Sequence, residues 1–438
     1  MKKSFLVAGF VLFASGILFG QSVENGSEPI VLTVDKAVEL ALQNNITIKQ
    51  SKMDLDMLEL RDSFSWNGIS PSLSLSGGVN GSKAGTFDTF ADSDPTVSWS
   101  VSGSVSLNFT PALATTIKSA KLAYESGQMS YENTRRSIEL SVRKTFYSLL
   151  YFNENLELQH RSLETARQTY ESNLSKFNQG RLSEMNLLTS QYNYESKIPA
   201  VTNLHTTYEN NLDNFKIILG LDLNDEIELT GSLVELAAAE LNNKLLDVNI
   251  EELPSIKMLL KNIESSENSL MATRFSAYGP SLSLSGSAGT NGGIKPSSDP
   301  RVSLSYSATV RIPLDGYLPW SNGSVSVQAQ KESLEKLKQN LEQTKKTTEI
   351  SIRNSYNAIK QAKAQLAVYE KNMELMQKTY DMTRASYNAG STDFLTLQKA
   401  EDNLYQAKYN VENQRYSIIS AVLDLENTLG IEFGSLGE

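Results

Sequence analysis

Two histidines, His160 and His205, are the only imidazoles in 438 residues, and there is no cysteine. A structural or catalytic metal site needs three or four nitrogen, sulfur or carboxylate ligands at short spacing. Neither histidine has such companions, and both read as surface residues on helices. The glycine run Gly77-Gly78-Val79-Asn80-Gly81 could cradle a phosphate only if a helix followed to point its N–H groups at the anion. None follows, so it reads as a loop, and the sequon-like Asn80-Gly81-Ser82 reads as a chance match. Aspartates and glutamates are scattered over helix faces without a paired-carboxylate pattern. The residues therefore point to no enzyme, no cofactor and no metal.

What the spacing does support is the chemistry of two solvents. Pro71-Ser72-Leu73-Ser74-Leu75-Ser76-Gly77 alternates leucine with serine, and the same seven residues return at Pro280 to Gly286. Each copy leads, past a loop rich in Gly, Ser and Asp, into a longer alternating run. Val97, Trp99, Val101, Val105, Leu107 and Phe109 are separated by Ser98, Ser100, Ser102, Ser104, Ser106 and Asn108. The second copy sets Val302, Leu304, Tyr306, Ala308, Val310 and Ile312 against Ser303, Ser305, Ser307, Thr309 and Arg311. A period of two places each set on its own face of a strand. The pattern predicts two β-hairpins, over 71–109 and 280–312.

A serine face makes a poor core, and the opposite face is too apolar for water. Lipid outside and water inside satisfy both, and strands of about ten residues match a transmembrane β-barrel. Trp99, Val101, Val105, Leu107, Leu304, Tyr306 and Val310 are then expected to face lipid, and Ser102, Ser104, Ser305 and Ser307 water. An open sheet edge cannot lie in lipid, and four strands are too few to close a ring, so several chains must share one barrel. Serine fills little volume, which favours a wide ring of three or more chains. Trp66, Trp99 and Trp320 all fall near strand ends, where tryptophan gathers at membrane interfaces.

The helices must reach far from that barrel. Ala112 to Asn178 contains no proline and a single glycine, Gly127, and at 1.5 Å per residue spans roughly 100 Å. Its apolar stripe, Leu149, Leu156, Leu163, Tyr170 and Phe177, steps by seven. A shift of 210 gives Ile359, Leu366, Met373, Tyr380 and Tyr387, the period of supercoiling helices. Gly180 and Gly390 suit a left-handed helix end, and Ser183 and Asp393 suit the N-caps of returning helices. Leu187 to Phe215 and Leu397 to Leu425 keep the seven-residue step, with Pro199 expected to interrupt and kink the first. Upstream, Thr33 is a plausible N-cap for a helix to Asn44, with a break near Asn45. A further helix is expected from Pro254 to about Ser276.

Together these elements predict a signal peptide (1–22) and two tandem repeats, 23–220 and 221–438, with tips near 180 and 390. Lys2 and Lys3 followed by an uncharged run from Phe5 to Phe19 are too short to span a bilayer and suit export. The net charge of −10 leaves no electrostatic footprint for nucleic acid. The fold class is α+β: a long coiled-coil helical barrel continuous with a transmembrane β-barrel shared between subunits, four strands from each. A passive porin would need more strands and no such helices. A coiled-coil surface fibre or scaffold would explain the heptads but not the hairpins.

Leu32-Thr33 with Ala37, Ala41-Leu42 and Asn44-Asn45, both Pro-Ser-Leu-Ser-Leu-Ser-Gly strands, Tyr387-Asn388-Ala389-Gly390 and Leu429-Gly430 resemble the TolC-like outer membrane efflux protein family. The likeness covers nearly all of the mature chain. It implies a homotrimer with a 12-stranded barrel in the outer membrane and a helical tunnel across the periplasm. It also implies docking through a periplasmic adaptor to an inner-membrane pump, for multidrug efflux or type I secretion. The tips Gly180, Arg181, Leu182, Ser183 and Gly390, Ser391, Thr392, Asp393 would meet the adaptor. Asn186, Tyr387, Thr396 and Lys399 would lie at the aperture. Members usually carry aspartates at the positions of Asn186, Thr396 and Lys399 and an arginine at that of Thr392, so an acidic, charge-paired gate is not expected here.

Overall fold

The computed structural model describes residues 30–83, 96–238, 249–293 and 300–437. The expected signal segment and most of each hairpin's Gly-, Ser- and Asp-rich loop lie outside them. A short strand β1 (Ile30–Leu32) leads into α1 (Val34–Asn44) and α2 (Ile46–Ser63). Thr33 caps α1 by accepting from the Lys36 amide. Asn45 breaks the run and starts α2, its Oδ1 accepting from Thr47 N at 2.9 Å and Ile48 N at 3.4 Å. The hairpin β2 (Ser72–Ser82) and β3 (Thr96–Phe109) follows, then α3 (Ala112–Asn178) and α4 (Glu184–Leu219). β4 (Ile227–Leu229), α5 (Leu233–Ala238) and α6 (Pro254–Tyr278) connect to β5 (Ser281–Gly293) and β6 (Arg301–Arg311). The chain closes with α7 (Asn322–Asn388) and α8 (Phe394–Leu429).

α3 and α7 are each 67 residues long, and α4 and α8 each 36. Such helices have no globular core to bury into, so the seven-residue stripes must do it. Leu149, Phe215, Ile359, Val411 and Ile418 are fully buried where the four helices run side by side. α3 lies between α4 and α8, and α8 between α3 and α7, so the order across the strip is α7–α8–α3–α4. Midway along α3, where α4 ends, β1 pairs in parallel with β4, and Leu32, Ala37, Ala41, Phe146, Phe215 and Leu219 form one apolar cluster. Gly127 lets α2 cross close to α3: a Cβ there would come within 2.5 Å of Leu58 Cδ1, and that side chain would have to swing aside.

Two expectations are corrected. Pro199 does not interrupt α4, which continues from Glu184 to Leu219 through it. Residue 199 is exposed, and continuation of the helix on both sides absorbs one missing N–H. Gly77 to Gly81 is not a loop but the second half of β2, paired from Gly77↔Val101 to Gly81↔Val97. Backbone pairing with β3 offsets the low strand preference of glycine there. Among the described residues no helix is long and apolar enough to cross a membrane, and no group of acidic or histidine side chains could hold a metal ion.

Candidate functional site: the sheet faces and the helical tips

The four long strands form one antiparallel sheet in the order β2-β3-β5-β6. Register sorts the side chains. Leu73 opposes Val105, Leu107 opposes Leu284, Leu282 opposes Val310, and Ala288 opposes Leu304. All apolar residues, including Trp99, Val101, Val105, Leu107, Leu304, Tyr306 and Val310, therefore share one face. No described residue of the protomer covers it: Leu304 is 76% and Tyr306 88% exposed.

The other face is a serine surface that satisfies itself. Ser72–Ser106 and Ser74–Ser104 hydroxyls lie 2.6 Å apart, Ser285–Ser307 2.8 Å and Ser287–Ser305 2.7 Å. In each pair one hydroxyl donates and the other accepts, which leaves the acceptor's own proton free to donate to water. Among the described residues both outer strands, β2 and β6, are open edges of the sheet. Trp66 and Trp320 stand exposed just before β2 and just after β6, and Tyr278 and Tyr317 pack against one another, with ring centroids 5.3 Å apart, beside the sheet.

At the opposite end each hairpin turns on a glycine. Gly180 has φ +70° and Gly390 φ +73°, a conformation glycine adopts without strain. Arg181 N donates to Lys176 O and Ser391 N to Ser386 O, both at 2.9 Å, which closes each helix end. Ser183 Oγ and Asp393 Oδ1 cap the returning helices by accepting from Asn186 N and Thr396 N. The second cap is the tighter, at 2.7 Å. That backbone donation holds the Asp393 carboxyl below its usual range, with Lys399 adding to the effect. Arg181, Ser183, Ser391 and Asp393 are exposed, and Leu182 and Thr392 half-buried.

The four expected aperture residues do not stand alike. Thr396 and Lys399 are exposed on one face of α8. Asn186 is half-buried on α4. Tyr387 turns inward: its hydroxyl donates to Asn173 Oδ1 at 2.6 Å, tying α7 to α3. Glu401 escaped the sequence reading. It sits four residues past buried Leu397, on the packed side of α8, and accepts from Ser162 Oγ at 3.3 Å. Burial pushes its carboxyl up, while Lys197, which also reaches Ser162 at 2.9 Å, pulls it partly back. Glu426, fully buried, fastens the last turn of the chain by accepting from Gly434 N and Leu436 N. An acidic residue on an otherwise apolar helix stripe was the signal for both.

The family model for outer membrane efflux proteins matches residues 37–221 and again 245–431. The chain belongs to that family. Its place is the outer membrane, with the long helices extending into the periplasm. It is 22% identical over 404 residues to nodulation protein T of Rhizobium leguminosarum bv. trifolii, spanning 89% of this chain and 84% of that one. It is 23% identical over 403 residues to toxin and drug export protein A of Aggregatibacter actinomycetemcomitans, spanning 88% and 85%. The fold is that of the Campylobacter jejuni CmeC outer membrane channel, with a TM-score of 0.71 at 20% identity over 91% of this chain and 85% of that one. An efflux channel is the activity its family supports.

Proposed function

We propose that three copies of this chain form the outer-membrane exit duct of a tripartite efflux or type I secretion system. The observation that carries the reading is a four-stranded sheet, apolar on one bare face, serine-lined on the other, and open at both edges. Three such sheets joined edge to edge give twelve strands, which leaves no open edge in lipid. The apolar face, including Trp99, Val101, Val105, Leu107, Leu304, Tyr306 and Val310, then meets lipid, and the serines line water.

The helical strip supports the same closure. Its two outer helices carry bare apolar residues: Met185, Leu188 and Tyr192 on α4, and Val368, Leu375 and Met382, seven apart, on α7. α4 of one copy against α7 of the next would cover both. The division into repeats at 23–220 and 221–438 gives each copy two hairpins of equal length. The tips, Gly180 to Ser183 and Gly390 to Asp393, are exposed turns on rigid arms, suited to an adaptor that links the duct to an inner-membrane pump. Thr396 and Lys399 then stand at the narrow end.

Deleting the gene and comparing drug susceptibility and the secreted proteome tests the reading. Export should fail for at least one class of cargo and return when the gene is restored. Unchanged susceptibility and an unchanged secretome would contradict it.

A further inference from the structure

The two sides of the helical strip differ in charge, and the difference follows from how α4 and α8 pack. On α8, Leu397 and Leu404 pack against Tyr380 of α7, and Val411 and Ile418 are buried in the cluster shared with Leu366 of α7 and Leu149 of α3. Glu401, Tyr405 and Tyr416 lie against Ser162, Gln159 and Tyr151 of α3. One face is left over. Between Lys399 and Asp424 it carries Asn403, Gln406, Asn410, Asn413, Ser417 and Ser420, at alternating steps of three and four. All six are exposed or half-exposed, and none is charged.

α4 repeats the arrangement 210 residues earlier. Five of the six positions recur there as Ser196, Ala200, Asn203, Thr207 and Asn210, with Asn214 extending the row, all exposed; the counterpart of Asn403 is the buried Asn193. Both helices are charged elsewhere, so a solvated surface alone does not explain two neutral stripes at matching positions.

Apart from the pairs Lys197–Asp402 and Lys144–Asp424, which bracket the α8 stripe, the charges lie on the other side. α4 and α8 touch each other across the front of α3: Gln398 Nε2 donates to Asn193 Oδ1 at 3.0 Å, and Lys197 pairs with Asp402 at 3.6 Å. Over that stretch near the tips, where both neighbours meet in front of it, α3 shows only its back. There α3 presents Glu157, Arg161, Glu164, Arg167 and Glu171 in ion pairs along its own length. α7, which flanks α8 as α3 flanks α4, presents Lys371, Glu374 and Lys378 in the same way.

We infer that the uncharged stripes of α4 and α8 are the wall of the passage and that the charged backs of α3 and α7 are its outer surface. The inference rests on the duct reading and deepens it. The exposed Thr396 and Lys399 proposed for the aperture lie on the α8 face that bears the neutral stripe. From Asn403 to Ser420 the wall is neutral for about 26 Å at 1.5 Å per residue. A charged wall in a narrow, low-dielectric passage concentrates ions of one sign and retains cargo of that sign. Amides and hydroxyls can donate to or accept from cargo of either sign, so this length of duct passes anionic, cationic and uncharged solutes alike. Charge discrimination is left to the Lys399 position at the tip end, because Asp424 at the other end is paired with Lys144 of α3 at 2.9 Å.

The chain has no cysteine of its own, so single cysteines can be placed on each side. The purified full-length protein is recorded in planar bilayers as Asn413→Cys, Asn203→Cys, Glu164→Cys and Lys371→Cys, before and after an anionic sulfonate thiol reagent, with labelling verified by mass. Asn413→Cys and Asn203→Cys should lose current in steps on labelling and shift their reversal potential toward cation selectivity. Glu164→Cys and Lys371→Cys should do neither. The opposite pattern, equal responses on both sides, or no response from labelled Asn413→Cys would overturn the inference while leaving a conducting duct in place. A wild type that conducts nothing would overturn the duct reading and the inference together.

Discussion

Leu304→Lys is the substitution on which the barrel assignment makes its clearest demand. β6 has 11 residues, about 37 Å along the strand at ~3.4 Å per residue. Tilted by roughly 40°, it crosses a layer about 28 Å thick, close to the apolar band of such barrels. Tyr306 is then at the middle and Leu304 about 5 Å from it. A lysine near the midplane of a lipid face costs ~2–4 kcal/mol, and a long stem that lets the ammonium reach the interface favours the lower figure. At ~2 kcal/mol per chain, a three-chain ring loses about 6 kcal/mol. Ser305→Lys, one residue on, points to the serine face and gives up one hydroxyl pair with Ser287 at 2.7 Å, about 1 kcal/mol. Guanidinium unfolding of both variants in lipid vesicles reads the difference. Leu304→Lys should lower the midpoint well below that of Ser305→Lys, and equal losses would refute the alternation of lipid and water across the sheet.

Three further outcomes are expected. The double substitution Arg181→Glu, Leu182→Asp alters a turn held by backbone bonds, so the protein should reach the outer membrane in normal amount while export stops; normal export would remove the tips as the docking site. Lys399 makes no ion pair within the protomer among the described residues, so a ring of three should favour anions, and Lys399→Gln should shift the reversal potential in a salt gradient toward cations; an unchanged potential would mean no cationic ring. Glu401 has a carboxyl raised by burial, so it binds its proton more tightly folded than unfolded, and stability from this site falls as pH rises from the ordinary carboxylate value through the raised one. Glu401→Gln should therefore melt higher than wild type at neutral pH and converge with it in acid, and a thermal series across pH checks both.

Much of this was legible because long-range order here is written as short periods. A period of two fixed which strand residues share a face, and Leu73↔Val105 and Leu282↔Val310 pair as alternation requires. A period of seven located the buried stripe from Leu149 to Leu156 and from Leu397 to Leu425. Gly180, Gly390, Ser183 and Asp393 were readable because a left-handed helix end and an N-cap each admit few residue types. What escaped depends on neighbours distant in sequence. The Gly77–Gly81 strand exists because β3 pairs with it, not because glycine prefers a strand. Tyr387 is tied to Asn173, 214 residues away, a pairing that no local pattern shows. Glu401 and Glu426 looked like solvated carboxylates until the partners above them, Ser162 and the last turn of the chain, came into place.

The central claim is that several chains share one barrel, and the number of chains in the detergent-extracted particle tests it most directly. Native mass spectrometry of the full-length protein, released from detergent under gentle activation, reads that number. A single dominant species of three chains, resisting separation at energies that strip the detergent, is the predicted result. A dominant single chain under the same conditions would contradict a shared barrel.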